Sequence, residues 1–374
     1  MAPAPGIRLT TRLDDALRSA LAPLAAAAAL VAAPAQAWDA PVHRAITEVA
    51  LAKAAEASGA AWLAEPATVA RAAFTATEAD RYRGTKIAFL DHENGPEHYL
   101  DIELLGAHDL SLATLPPLRY DFVNAVARTS PPPQPSGERR GVTTPPNAPK
   151  GVTDIGFVPY AIAEHYAKLV SAMNTLRVLE RINEAERAEQ VAAARASVVT
   201  ALGHLSHFVA DAAQPLHTTI HHHGWVGDNP EGFTDDRGFH AYIDGAIVLH
   251  HALDRAAIAE ATSAPRAIDA AEIWPAILAH LERSHALMRP LYVMHRDGSL
   301  REEPGKALIR ERLGDAASTL AGFYLLAWQE SAPRDEADAE RQVADFRKYE
   351  GIPSRNEPIP RREPVPAKRP GDAP

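Results

Sequence analysis

No cysteine occurs among the 374 residues. Disulfides and thiolate metal ligands are therefore excluded, and any metal site must be built from His, Asp, Glu and backbone groups. Aromatic residues are scarce at 6%, while Ala, Leu, Glu and Arg dominate, a balance that favours helices over sheets. Cations are outnumbered, with 38 Lys and Arg against 48 Asp and Glu and a formal net charge of -10. That excludes a broad basic surface for gripping duplex nucleic acid. It leaves room for a small phosphate site, because a bound metal would neutralise several acids locally. One apolar run stands out, from Ala20 to Ala33, and it is too short to span a membrane comfortably.

That run belongs to a processing signal. Arg8 and Arg12 give a basic start, weakened by Asp14 and Asp15, and Ala35-Gln36-Ala37 is an A-x-A cleavage site. Together they predict an export signal over residues 1–37, cleaved after Ala37, and hence a secreted or periplasmic protein. Trp38 then becomes the first residue of the mature chain, and its amine is a usable metal ligand once deprotonated.

The most informative stretch is Leu205-Ser206-His207-Phe208-Val209-Ala210-Asp211-Ala212-Ala213-Gln214-Pro215-Leu216-His217. His207 and Asp211, four apart, project from one face of a predicted helix. Pro215 forces the chain out of that helix, so His217 comes from the exit turn. Two imidazoles and a carboxylate suit a zinc site, although HxxxD alone also arises by chance on many helices.

Helical periodicity runs through the rest of the chain. A helix starts at Pro41 with Val42, Ile46, Val49 and Ala50 on its apolar face, and His43 lies near that stripe. Taken alone, His43 reads as a packed or surface histidine. A second helix is expected over Pro66 to Arg83, where Asp80 and Arg83 read by themselves as an exposed ion pair. Glu97 to Glu103 alternates like a short strand or an extended entry to the next element. Residues 129–150 form a proline-rich surface loop.

Further helices are expected over Pro159–Asn183, Ala185–Ala213, Ala270–His295 and Lys306–Ser331, and from Gly238-Phe239, carrying His240 and Asp244, again four apart. The run His221, His222, His223 reads as a solvated loop or as metal capture at a site mouth. Residues 333–374, charged and then rich in Pro and Arg, are expected to be disordered. There is no internal repeat. The organisation predicted is a single all-α domain, a multi-helix bundle with long loops, over residues 38–332.

Trp38, His43, Asp80, His98, His207, Asp211, His217, His240 and Asp244 follow one another along the chain. This ordered set resembles the zinc-dependent phospholipase C and single-strand-specific zinc nuclease superfamily, secreted and mostly helical, over roughly residues 38 to 330. The resemblance implies three zinc ions. One would be held by the Trp38 amine and carbonyl, His43 and Asp211. A close neighbour would be held by Asp80, His98, His207 and a bridging Asp211, and a third by His217, His240 and Asp244. It further implies phosphodiester hydrolysis by hydroxide from a zinc-bound water, with Asp80, Arg83 and Asp211 in the catalytic machinery and Arg83 clamping phosphoryl oxygens.

The Trp-x4-His start, the Asp-x-Tyr-Arg segment and Asp at 244 look like the nucleases, with Tyr99 and Asp101 placed to stack on and hydrogen-bond a base. Gly238-Phe239-His240 looks like the phospholipases. The expected substrate is single-stranded nucleic acid or a nucleotide, the alternative a phospholipid. No protein partner is implied, and a monomer is expected. A non-catalytic zinc-binding protein is the rival reading from a different class, motivated by the 17 histidines.

Overall fold

The computed structural model describes residues 38–129 and 152–350. The predicted export signal and most of the 129–150 loop lie outside them. Among the described residues the chain is mostly helical and has no named strand, only isolated bridges. None of its helices is long and apolar enough to cross a membrane.

The elements that build the site are α1 (Ala40–Ser58), α2 (Pro66–Thr75), α3 (Glu78–Gly84), α4 (Ala88–Asn94), α5 (Val158–Ile182) and α6 (Ala188–Ala213). They continue with α7 over 239–250, which is α-helical at Phe239–Ala241 and Ile247–His250 with a π-helical turn, Tyr242–Ala246, between. Then come α8 (Ile273–His285), α9 (Met288–Asp297), α10 (Glu303–Glu330) and α11 (Glu336–Tyr349). Prolines sit in the first turns of α1, α2, α5 and α10, where the missing N–H leaves no helical bond unmade.

α10 is the central post. Leu313, Ala316, Ala317, Leu320, Ala321 and Tyr324 along it are fully buried, and it packs on α1, α5 and α6. The Tyr324 hydroxyl donates to Leu202 O of α6 at 2.7 Å, so the ring's polar end is satisfied inside the core. Gly203 lets α2 approach α6 closely, because a Cβ there would lie 2.5 Å from Thr75 Cβ and 2.7 Å from Ala72 O. That close approach brings the end of α2 beside His207.

Four expectations are corrected. The helix expected over Pro66 to Arg83 is broken at 76–77, and the Ala76 carbonyl at the break faces His207 Nδ1 at 2.8 Å. The helix expected over Ala270–His295 splits into α8 and α9, since Pro290 in the first turn of α9 cannot donate to the carbonyl of Ala286. The 97–103 segment is no strand. It is a 3-10 turn, Gly95–His98, a lone bridge from Leu100 to Gly156, and a second 3-10 stretch, Ile102–His108. Finally, α11 lies within the tail expected to be disordered. Asp335 caps it by accepting from Asp338 N at 2.8 Å, Phe346 packs against the core, and Arg187 reaches Glu350 at 2.7 Å. Ala339 of the same helix is buried as well; residues 351–374 lie outside the described residues.

A buried charge cluster joins α8 to α10. Asp315 Oδ2 lies 3.3 Å from His280 Nδ1, 3.3 Å from Arg283 and 3.4 Å from Arg312, and Arg266 pairs with Oδ1. Burial alone would raise the Asp315 carboxyl, but the His280 hydrogen bond and the charges on His280, Arg312 and Arg283 hold it well below the usual carboxylate range. A depressed folded-state value means stability that is present above the unfolded value of about 3.9 and is lost as pH falls through the folded one. Asp315→Asn should therefore lower Tm on the order of 10 °C at neutral pH, since it strands buried guanidinium charge. It should also flatten the acid limb of stability against pH. Melting curves from pH 2 to 7 check this, and an unchanged acid limb would contradict it.

Candidate metal centre

The last turns of α6 carry polar groups on a face that is otherwise core. His207 and Asp211 are both 0% exposed. Gln214 turns the chain into extended geometry, and the 3-10 turn Pro215–Thr218 then delivers His217. Asp80 and Arg83 come from α3, and His98 ends the 3-10 turn before Tyr99. His43 comes from the first turn of α1, and His240 and Asp244 from α7.

Three groups of donor atoms result, each within 4.8 Å internally and made of buried residues: His43, His207 and Asp211; Asp80, His98 and His207; and His217, His240 and Asp244. Such groups can hold metal ions. All eight His and Asp residues expected as ligands are therefore brought together. His207 belongs to two groups, a sharing the sequence did not indicate. The Asp211 carboxylate faces both sides, with Oδ1 3.3 Å from His43 Nε2, and Oδ2 2.9 Å from His98 Nδ1 and 3.3 Å from His207 Nε2. Trp38 is fully buried. Its indole donates to Ala210 O at 3.1 Å, and Asp39 N donates to Asp244 O at 3.2 Å, so residues 38 and 39 are tied to α6 and α7.

The residues fit a cation in what the side chains leave without a hydrogen bond. Both nitrogens of His43, both oxygens of Asp80, Asp211 Oδ1 and Asp244 Oδ2 are buried and make no hydrogen bond. Buried polar atoms in that state are costly, and several of them in one place form a site that could hold an ion. Ring nitrogens also confront one another, His98 Nδ1 and His207 Nε2 at 3.0 Å and His217 Nε2 and His240 Nε2 at 3.0 Å. A cation between such nitrogens would use both lone pairs.

Outer contacts aim these rings. His207 Nδ1 meets Ala76 O at 2.8 Å, and His217 Nδ1 meets His98 O at 2.5 Å, which turns each Nε2 toward the centre. The Asn94 carboxamide nitrogen lies 3.0 Å from His98 Nε2 and 2.8 Å from Ala79 O. Neither Asn94 nor Asp39 carries a spacing signal that sequence reasoning could use.

Burial and neighbouring charges shift the titrating groups of the centre in opposite directions. Burial raises Asp244 well above its ordinary value, and the carboxylates of Asp39, Asp211 and Asp80 add to the rise. Burial lowers His98 to about 4. Burial also opposes charge on His207, yet Asp211 and Asp80 push it up to about 9. Asp211, which burial alone would raise, is held well below the carboxylate range by His207 and His217.

A raised folded-state His207 contributes stability that is complete below its unfolded value of 6.5 and lost as pH rises through about 9. The metal-free chain should thus lose stability over that window. Near pH 7.5, metal binding should expel the His207 proton, and affinity should fall as pH falls. Calorimetry in buffers of different ionisation enthalpy measures the protons released; a value of zero would contradict the assignment.

Two expectations fail here. Tyr99 and Asp101 are 4% and 1% exposed. Their segment is stitched in by Leu100 N to His217 O, Asp101 N to Ile155 O and Val158 N to Tyr99 O at 2.9, 2.7 and 3.1 Å, with the Tyr99 ring against Gly156. A stacking platform needs an open face, and Tyr99 offers none. The His221–His223 run is not a solvated loop either. His221 stacks on Trp225 at 3.8 Å, and His222 is fully buried. None of the three belongs to a metal-capable group among the described residues.

The chain matches no protein-family model, no curated protein and no solved structure.

Proposed function

We propose that this chain is a zinc-dependent hydrolase of phosphodiester bonds, of the kind its ordered residues resemble, the zinc-dependent phospholipase C and single-strand-specific zinc nuclease superfamily. The carrying observation is the convergence of His43, Asp80, His98, His207, Asp211, His217, His240 and Asp244 into three adjoining buried groups, with donor atoms on His43, Asp80, Asp211 and Asp244 that make no hydrogen bond. In this reading His43 and Asp211, with the Trp38 amine and carbonyl, hold one zinc. Asp80, His98 and His207 hold a second, with Asp211 between the two, and His217, His240 and Asp244 hold a third. Oxygen and imidazole nitrogen without sulfur are suitable zinc donors.

Bound zinc would lower the pKa of water and take up negative charge on a phosphoryl oxygen. The chain's own part is to orient and to exclude water. Arg83, its side chain 25% exposed and its Nη1 3.9 Å from Asp80 Oδ1, stands between the buried acids and solvent. There its planar donors can engage phosphoryl oxygens and hold the ester against the ions. The substrate favoured is single-stranded nucleic acid or a nucleotide, on the strength of the Trp-x4-His and Asp-x-Tyr-Arg segments. The sequence features of residues 1–37 support export and cleavage after Ala37, and a secreted monomer without a protein partner completes the reading.

One observation favours the phospholipase reading. Ile87 and Phe89, in the segment directly after Arg83 and beside Lys86, are 50% and 88% exposed, an apolar and cationic lip of a type suited to a lipid surface. Mature protein assayed on single-stranded DNA, RNA, 3′-nucleotides and phosphatidylcholine vesicles, with and without chelator, separates the two. Absence of chelator-sensitive turnover on all of them, with zinc tightly held, would leave the non-catalytic zinc-binding reading.

A further inference from the structure

Gln214 occupies the joint between α6 and the turn that carries His217, and it is fully buried. Its backbone is fixed on both sides, since its N–H donates to Asp211 O at 2.9 Å and its carbonyl accepts from His217 N at 3.0 Å. The side chain is oriented by hydrogen-bond logic. Leu216 N–H donates to Oε1 at 2.5 Å, so the amide nitrogen must face the other way, where it donates to Asp244 Oδ1 at 2.7 Å. A carboxylate oxygen can only accept there, so the arrangement is consistent at every atom.

The far oxygen of the same carboxylate, Asp244 Oδ2, makes no hydrogen bond and lies 3.2 Å from His240 Nε2. The backbone of Asp244 is held independently, because its carbonyl accepts from Asp39 N. That carbonyl lies within a π-helical turn, where the regular helical ladder is interrupted. Gly245 leaves room for the approach; a Cβ there would fall 1.8 Å from Asp39 Oδ2.

We infer that Gln214 is a positioning residue for the third ligand group: its carboxamide holds Asp244 Oδ1 so that Oδ2 is presented toward His240 and His217. It thereby joins the Asp244 carboxylate to the segment that carries Asp211 and His217. The inference rests on the metal reading above. It predicts that ion affinity at the third group depends on an uncharged donor at 214. A carboxylate there would still accept from Leu216 but would repel Asp244, and an apolar side chain would leave both partners unpaired.

The test is zinc titration by calorimetry, with bound metal counted by elemental analysis, on the mature chain and its Gln214→Glu and Gln214→Met variants. Circular dichroism and metal-free melting establish that each variant folds. Expected is weakening of one ion by about 10–100-fold, with the other two unchanged. In an Asp244→Ala background, adding Gln214→Met should cost nothing further, which a general packing role would not produce. Three ions of unchanged affinity in both folded variants, or equal added loss in the Asp244→Ala background, would overturn the role of Gln214 alone. If neither variant folds, Gln214→Asn decides, because it keeps a carboxamide but shortens its reach to Asp244 by one methylene: the third ion should weaken while the other two hold, and three ions of unchanged affinity would overturn the inference. A wild-type chain that holds no ion would overturn the metal reading and the inference together.

Discussion

On the proposed zinc-hydrolase reading, replacing Asp211 by Asn should weaken the binding of two ions at once and cut turnover steeply. Asp211 is shared widely within the centre: four imidazoles, those of His43, His98, His207 and His217, lie within 3.8 Å of its oxygens. Asn keeps the shape and removes the charge. Partners one shell out from a metal are worth about 10–100-fold in affinity, so removing an anionic bridge should weaken both ions by at least about 100-fold. Turnover should fall on the order of 10³-fold, the upper range for losing one preorganised electrostatic contact.

The same change should destabilise the metal-free chain by about 3–5 kcal/mol, because it leaves the buried His207 proton without its counter-charge. Asp244→Glu is the control, since it keeps charge at a position serving only one group. Zinc content, turnover and melting in chelator read all three effects. An Asp211→Asn protein that still carries three tightly held ions would remove the bridge from the scheme.

A chain starting at Trp38 should bind one ion about 10–100-fold more tightly than a chain that retains Ala37. The added residue converts a basic amine into an amide, which has no lone pair to offer a metal. The Trp38 carbonyl also loses its partner in the chelate ring. Position 38 has little freedom to compensate, because its indole is fixed to Ala210 O and the next amide to Asp244 O. Both forms can be prepared from a cleavable fusion, verified by mass, and compared by zinc titration and turnover. Equal affinity would count against any role for the terminal amine and leave His43, His207 and Asp211 as that group's candidate ligands.

The helical class, most of the helix positions and the identity of the metal-capable residues were legible in the chain. The i, i+4 pairs His207–Asp211 and His240–Asp244 are local geometry, and Pro215 dictates that His217 leaves the helix. What was misread follows from interactions that act across the fold. The break between α2 and α3 provides a carbonyl for His207. Tyr99 is buried because the 99–101 backbone bonds to residues 155 and 158 and, through Leu100 N, to the His217 turn, and α11 is held by contacts with α5 and the segment before α6.

The sequence by itself determined which side chains are available for chemistry. Without cysteine only nitrogen and oxygen donors remain, and short-range periodicity sets which of them share a helix face. Only the tertiary structure decided how those donors are shared: His207 serving two groups, and Gln214 tying Asp244 to the exit turn. Those relations join residues more than twenty positions apart. They depend on how closely α2, α6 and α7 pack, and no local period along the chain encodes that distance.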